Sequence, residues 1–148
     1  MGNKIYEDAM KKCVQVLTDN IDADEMSDEK LNDLCEICLK VSFNKINTGG
    51  LEKLSKLELY FIGLCFDKKM YDIYQEWKDN SDNIYDKSIA RVQSTLFNSE
   101  QSCKDAKFWY EEDDFEYDHF RLEDFVKQQI QAYKYINKKM GDFNYVRK

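Results

Sequence analysis

Proline is absent from all 148 residues of this chain, and glycine occurs only five times. Antiparallel strands are usually joined by tight turns that rely on both residue types, so a sequence this poor in them does not favour a β fold. Helices tolerate such a composition well, because proline is the residue that most disrupts their hydrogen bonding. The composition therefore predicts an all-α protein.

Apolar residues recur at spacings of three and four along nearly the whole chain, as expected for amphipathic helices. At 148 residues one domain can bury about 70% of the surface that the extended chain exposes. We therefore predict a single helical domain over residues 1–148, a compact bundle or irregular array of six or seven helices. We also predict that residues 141–148 form a short basic and aromatic tail after the last helix, and that this tail can be flexible. The helical stripes are Ile5, Ala9, Met10, Cys13, Val14 and Leu17; Leu31, Leu34, Cys35, Cys38, Val41 and Ser42; Leu54, Leu57, Phe61, Leu64 and Cys65; Met70, Ile73, Tyr74 and Trp77; Tyr85, Ser88, Ile89, Val92 and Leu96; and Leu122, Phe125, Val126, Gln129, Ile130, Tyr133, Ile136 and Met140.

The third helix is apolar most of the way round, since Leu59 and Ile62 lie opposite its main stripe, and we expect it to be central. Ser27 is a candidate N-cap of the second helix, and the glycines of "NTGG" are expected to end it in left-handed geometry. Asp67 is taken as the start of a fourth helix. The polar run from Asn98 to Tyr110 predicts a short separate one.

The sequence FWYEEDDFEYDHF, residues 108–120, is hereafter the acidic–aromatic segment. It holds six carboxylates and six aromatic rings in thirteen positions, without a lysine or arginine. Aromatic and acidic residues alternate from Phe115 to His119, as in a half-buried strand. A helix would instead align Phe108, Phe115 and Leu122. We predict an irregular, partly extended linker between two helices.

Acids near a helix start complement its dipole, but this accounts for two or three carboxylates and not six. Exposed rings among unpaired acids are typical of a surface that binds a basic protein, with rings as anchors and charge for steering. The sequence thus suggests a small inhibitor, immunity or anti-defence protein; a solvated loop whose rings return to the core fits it equally well. The predicted partner-binding residues are Trp109, Tyr110, Glu111, Glu112, Asp113, Asp114, Phe115, Glu116, Tyr117 and Asp118.

Two further charged regions suggest other surfaces. Residues 19–36 hold eight acids against one lysine and could extend the acidic surface. The C-terminal region is basic, with Lys127, Lys134, Lys138 and Arg147 among aromatic residues, a pattern that can bind single-stranded nucleic acid. The net charge of −7 argues against that alternative, because the rest of the molecule repels phosphate.

Catalytic and metal-binding patterns are weak. The C-x-x-C at Cys35 and Cys38 has no second pair to complete a zinc site and lies on an apolar stripe, which favours core packing. The stretch from Asn20 fails as a calcium loop, since Glu25 replaces the required glycine and Leu31 the final glutamate. His119, the only histidine, has no marked nucleophile. We predict no enzyme activity, metal or cofactor.

The five cysteines are an odd number set mostly in apolar helical patterns, which indicates reduced thiols and a cytoplasmic location. No apolar run approaches the roughly 20 residues of a membrane span, and the N-terminus does not resemble a signal peptide. We therefore expect no membrane partner. Oligomeric state has no signal in the sequence.

Overall fold

The computed structural model describes residues 2–19, 28–79 and 87–146, and these residues are almost entirely helical. The all-α prediction is confirmed, but the described residues form five α-helices where six or seven were predicted. Helices α1 to α5 span Gly2–Asp19, Asp28–Gly49, Lys56–Asp79, Lys87–Glu111 and Phe115–Val146, with a single 3-10 turn at Leu51–Lys53 between α2 and α3.

Two predicted helix boundaries are wrong, because the polar residues that suggested them bond inside the protein. Helix α3 continues through Asp67, whose carboxylate accepts a hydrogen bond of 2.6 Å from the Ser99 hydroxyl. Helix α4 continues through the run that begins at Asn98, and Ser99 there is buried and also accepts a hydrogen bond from the Gln129 amide at 2.9 Å. A satisfied buried polar group does not interrupt a helix.

The predicted extended linker in the acidic–aromatic segment is also wrong. Helix α4 includes its first four residues, and α5 begins at Phe115. Only Glu112, Asp113 and Asp114 lie outside helices. The alternation of aromatic and acidic residues is therefore carried by a helix, where it does not sort the side chains onto two faces.

Helix α3 is the centre of the structure, as predicted. Ten consecutive residues, Leu57 to Phe66, are buried, so every side of this half of the helix is covered. Helix α5 packs on it so closely that a Cβ at Gly63 would overlap the Phe125 ring. The absence of a side chain at this glycine allows the two helices to approach this closely.

Two hydrophobic clusters show how the helices are arranged. The larger joins α1, α2 and the first half of α3 to the end of α4 and the beginning of α5. The smaller joins the second half of α3, at Met70 and Trp77, to the beginning of α4, at Val92, and the end of α5, at Ile136. Helix α4 thus runs antiparallel to α3, and α5 runs parallel to it. Within the larger cluster, α1 and α2 pack against the N-terminal half of α3.

The beginning of α3 is held by a capping box that the sequence analysis overlooked. The Ser55 hydroxyl accepts the Glu58 N–H at 3.2 Å, and the Ser55 N–H donates to the Glu58 carboxylate at 3.0 Å. The second Glu58 oxygen accepts bonds from Lys45 at 2.9 Å and the Tyr6 hydroxyl at 3.1 Å. Burial raises the pKa of Glu58, but these donors outweigh it and hold the pKa below its usual value.

The predictions for the end of α2 and for the apolar stripe of α1 have different outcomes. Gly50 follows α2 with a φ of 78°, and its N–H donates to the Ile46 carbonyl at 2.8 Å, so the predicted glycine termination is confirmed. Ile5 is 74% exposed and is not part of the core stripe of α1. Tyr6 packs there instead. The predicted cap at Ser27 lies outside the described residues.

Gly63→Ala tests the close approach of α3 and α5. The added methyl group overlaps the Phe125 ring, and we expect the free energy of unfolding to fall by about 1–3 kcal/mol because the core must move to accept it. Urea denaturation measures the change. Gly49→Ala is the matched control, since its Cβ meets only the flexible Lys53 side chain. Equal effects of the two substitutions would contradict this account.

Glu58→Gln tests the charge at the start of α3. Because the folded pKa of Glu58 lies below its value of 4.5 in the unfolded chain, ionised Glu58 stabilises the protein above about pH 4.5, and this stabilisation is lost as the pH falls through the folded pKa. We expect the variant to lose about 1.5–3 kcal/mol at neutral pH and less in acid. Urea melts across pH 3–7 measure this. A loss of stability that does not change with pH would refute this role of the Glu58 charge. An equal loss in the exposed control Glu52→Gln would refute it too.

Candidate protein-binding surface

The acidic–aromatic segment forms the corner between α4 and α5. The last bond of α4 runs from the Glu112 N–H to the Phe108 carbonyl at 3.0 Å. Asp114 then starts α5: its carboxylate accepts the Tyr117 N–H at 3.3 Å, and its carbonyl accepts the Asp118 N–H at 2.9 Å. Aspartate is a favoured residue at a helix start for this reason.

Lys56, at the start of α3, holds this corner in place. Its ammonium group donates to the Glu112 carbonyl at 2.6 Å and lies 3.5 Å from the Asp118 carboxylate, whose side chain is fully buried. The second Asp118 oxygen, Oδ1, has no hydrogen-bond partner within the described part of the chain. Partial desolvation, followed by repulsion from Asp118, raises the pKa of Glu112, which Lys56 opposes.

His119 provides a second attachment of α5. Its Nε2 lies 2.6 Å from the Leu54 carbonyl and must donate to it, since a carbonyl only accepts. Its Nδ1 lies 3.5 Å from the Glu123 carboxylate, one helical turn further along α5. The half-buried ring therefore ties α5 to the residues before α3. A positioning role is what this geometry supports.

The aromatic rings of the corner divide into exposed and packed groups. Phe108 and Phe120 are 63% and 64% exposed, and Tyr117 is 47% exposed. Trp109 and Tyr110 pack against the large core cluster, where Tyr110 stacks on Tyr60 with ring centroids 4.9 Å apart. The side chain of Phe115 lies outside the described residues. The packed rings anchor the corner, and the exposed ones face solvent.

Arg121 contacts two of the aromatic rings of the corner. Its Nε donates to the Tyr117 hydroxyl at 2.9 Å, and its guanidinium lies 5.5 Å from the Trp109 ring centroid and 5.2 Å from that of Tyr117. These distances allow cation–π attraction to both rings. The Arg121 charge is thus directed at rings within the corner.

The carboxylates divide in the same way. Asp118 is buried, so it belongs to the internal contacts and adds nothing to an outer surface. Glu111, Glu112, Asp113, Asp114 and Glu116 are exposed. Among the described residues no lysine or arginine forms an ion pair with any of these five. The structure therefore brings together three exposed rings and five unpaired acids.

The other predicted surfaces are only partly described. Of the acidic residues 19–36, the side chains of Asp33 and Glu36 are described and exposed, and Glu36 lies 3.5 Å from Lys69. The side chains of residues 141–148, including Arg147, lie outside the described set, although α5 itself continues to Val146. Lys127, Lys134 and Lys138 are exposed on α5.

Sequence reasoning did not identify Lys56 or Arg121 as parts of the corner. Lys56 is far from the segment in sequence, and no local pattern connects the two. Arg121 follows the segment directly and lies four residues after Tyr117, a spacing that brings side chains together on a helix. This spacing would have predicted a contact between Arg121 and Tyr117.

Comparison with known proteins adds no relationship: no family model, curated protein or solved structure matches this chain. Within the described ranges, no helix is long and apolar enough to cross a membrane.

Lys56→Met tests the attachment of the corner. Removing the ammonium group leaves the buried Asp118 charge unpaired, and we expect the free energy of unfolding to fall by about 3 kcal/mol. Urea denaturation at pH 7 measures it. The double variant Lys56→Met with Asp118→Asn should recover part of that loss, because the unpaired charge is gone. If the double variant loses as much stability as the two single variants added together, the proposed attachment by Lys56 is contradicted. An equal loss of stability in the exposed control Lys53→Met would contradict it as well.

Proposed function

We propose that this protein is a binding module that engages a basic protein through the corner between α4 and α5. The observation that supports this proposal is the coexistence of exposed Phe108, Tyr117 and Phe120 with five exposed carboxylates that lack an ion-pair partner in the described part of the chain. Exposed aromatic rings beside acidic side chains are typical of protein-binding surfaces, where the rings act as anchors.

The attachment of the corner also supports binding. Lys56 and His119 hold the beginning of α5 against α3, so the exposed groups lie on a well-supported part of the fold. A preorganised surface loses less conformational entropy when a partner binds. The exposed carboxylates would steer a basic partner toward the rings and increase its association rate at low salt.

An inhibitor, immunity or anti-defence role is the form of this function that we favour. Such a protein acts by covering a basic surface on its target, and the required features are a rigid acidic patch and a few aromatic anchors. The residues proposed to contact the partner are Phe108, Glu111, Asp113, Glu116, Tyr117 and Phe120. Trp109 and Tyr110 would support the surface from below.

The test compares binding variants with matched controls. Glu111→Lys with Asp113→Lys reverses two exposed charges of the corner, and Glu52→Lys with Asp79→Lys makes the same change of net charge elsewhere. Partners captured from a cell lysate are identified by mass spectrometry, purified and titrated by calorimetry. We expect affinity to fall about tenfold or more for the corner variant, with a weaker salt dependence, and to be nearly unchanged for the control.

A second pair of variants tests the rings. Phe108→Ser with Phe120→Ser should weaken the same complex, whereas Phe97→Ser, which changes a ring that is 60% exposed at another site, should not. A partner that binds all variants equally would refute the proposed surface.

Nucleic-acid association through α5 is the alternative. The exposed Lys127, Lys134 and Lys138 lie seven and four residues apart, on one side of the helix, and no described carboxylate pairs with them. A fluorescent single-stranded oligonucleotide that binds the wild type at low salt, and fails to bind Lys134→Glu with Lys138→Glu, would favour this alternative over protein binding.

A further inference from the structure

A cleft with a volume of about 340 Å³ lies between α2, α3 and α5. Each helix lines it with residues three or four positions apart, a spacing that places side chains on one helix face. The pairs are Leu39 and Phe43 on α2, Phe66 and Lys69 on α3, and Ile130 and Lys134 on α5. This space is hereafter the apolar cleft, and all of its lining residues lie within described helices.

The floor of the apolar cleft belongs to the hydrophobic core. Leu39 is 5% exposed, Cys65 is 5% exposed and Phe66 is 8% exposed, and all three are part of the larger cluster. Ile130 and Tyr133 of α5 are only half-buried against it. A molecule in the cleft would therefore remove apolar surface of the protein, as well as its own, from water.

Three aromatic rings, one from each helix, line the apolar cleft. The Phe66 ring lies at the centre: its centroid is 6.1 Å from that of Phe43, in an edge-on arrangement, and 5.2 Å from that of Tyr133. Phe43 is 36% exposed, although it is a large apolar side chain. The sequence analysis placed neither Phe43 nor Leu39 on the apolar stripe of α2, so this lining is visible only in the folded protein.

The charged residues that line the apolar cleft are two lysines, Lys69 and Lys134, and no carboxylate lines it. Lys69 lies 3.5 Å from Glu36, but both side chains are exposed, and such a pair is weak. Lys134 is exposed and has no ion pair within the described part of the chain. In a protein of net charge −7, this cleft is therefore locally positive.

The volume of the apolar cleft limits the size of a ligand. A cavity of about 150 Å³ lined by apolar side chains holds one benzene ring. Sites for small molecules start at about 300 Å³ and combine apolar walls with a few polar groups that fix orientation. The cleft, at about 340 Å³, thus has room for a molecule of about two fused rings.

A larger cavity does not define a ligand in the same way. It has a volume of about 900 Å³ and lies between α1, α3 and α4. Its lining includes the acids Asp67 and Glu100 as well as Lys104 and Lys107, so it carries charges of both signs. The apolar cleft combines one apolar floor with one sign of charge, which selects a single class of molecule.

We propose that the apolar cleft binds a small apolar carboxylate. The apolar part of the ligand packs on Phe43, Phe66 and Tyr133, and its carboxylate pairs with Lys69 and Lys134, replacing Glu36 at Lys69. Burial of the apolar part supplies most of the affinity, and the two lysines select the negative charge and orient the molecule. None of these residues belongs to the corner between α4 and α5, so this site is independent of the proposed protein-binding surface.

Binding of 2-naphthoate, measured by isothermal titration calorimetry at pH 7 and low salt, tests the proposal. We expect one site with a Kd of about 10–100 μM, as befits a ligand of this size. The neutral analogue 2-naphthamide should bind about tenfold more weakly, because it lacks the charge, and the cation 2-naphthylmethylammonium more weakly still. Added salt should weaken the binding of naphthoate more than that of naphthamide.

Matched variants locate the site. Lys69→Met with Lys134→Met should reduce the affinity for naphthoate about tenfold and leave that for naphthamide nearly unchanged. Lys68→Met with Lys138→Met makes the same change of net charge on the same two helices, outside the cleft, and should have little effect on either ligand.

Ile130→Trp fills the apolar cleft and should abolish binding of both ligands, while thermal unfolding by circular dichroism checks that the variant is folded. Should it fail to fold, the comparison of the two lysine pairs decides, because Lys134, Lys68 and Lys138 are exposed and Lys69 is partly exposed, so none of these substitutions disturbs the core.

Several results would overturn the proposal. They are no binding of naphthoate at about 1 mM, equal affinities for the anionic, neutral and cationic compounds, an equal loss in the two lysine pairs, and undiminished binding by folded Ile130→Trp. A wild-type dimer that excludes naphthoate and that Ile130→Trp dissociates would instead assign the cleft to a second copy of the chain. None of these results depends on a partner of the corner.

Discussion

The complete burial of the first half of α3 is the constraint on which the rest of the structure depends. Ten consecutive residues of one helix can be covered only if other helices pack around every side of it. Helix α5 approaches so closely that a Cβ at Gly63 would overlap the Phe125 ring, while α1, α2 and the end of α4 cover the remaining surface. The charged residues at the beginning of this helix also have partners from other parts of the chain. Glu58 accepts a hydrogen bond from Lys45, and Lys56 pairs with Asp118.

The candidate binding surface is a consequence of this packing. Lys56 projects from the start of α3 to the corner between α4 and α5, and it fixes the position of the exposed rings and acids there.

Prediction from the sequence was most accurate where burial follows a regular pattern. The stripe of α5 from Leu122 to Met140 and the central position of α3 were both read correctly, because helical periodicity directly reports which face is apolar. The breaks at Asp67 and Asn98 were wrong for a physical reason. A polar side chain favours a helix end when it forms hydrogen bonds with the nearby backbone. The Ser99 hydroxyl instead bonds to Asp67 and Gln129 on other helices.

The sequence by itself determined the helical class, the central helix and the concentration of acids and rings in residues 108–120, because composition and periodicity are local properties. Only the tertiary structure decided which of those groups face outward. It buried Asp118 beneath Lys56 and left Phe108 and Phe120 exposed. Such contacts join residues far apart in the chain, and they depend on how the helices pack, which no local pattern records.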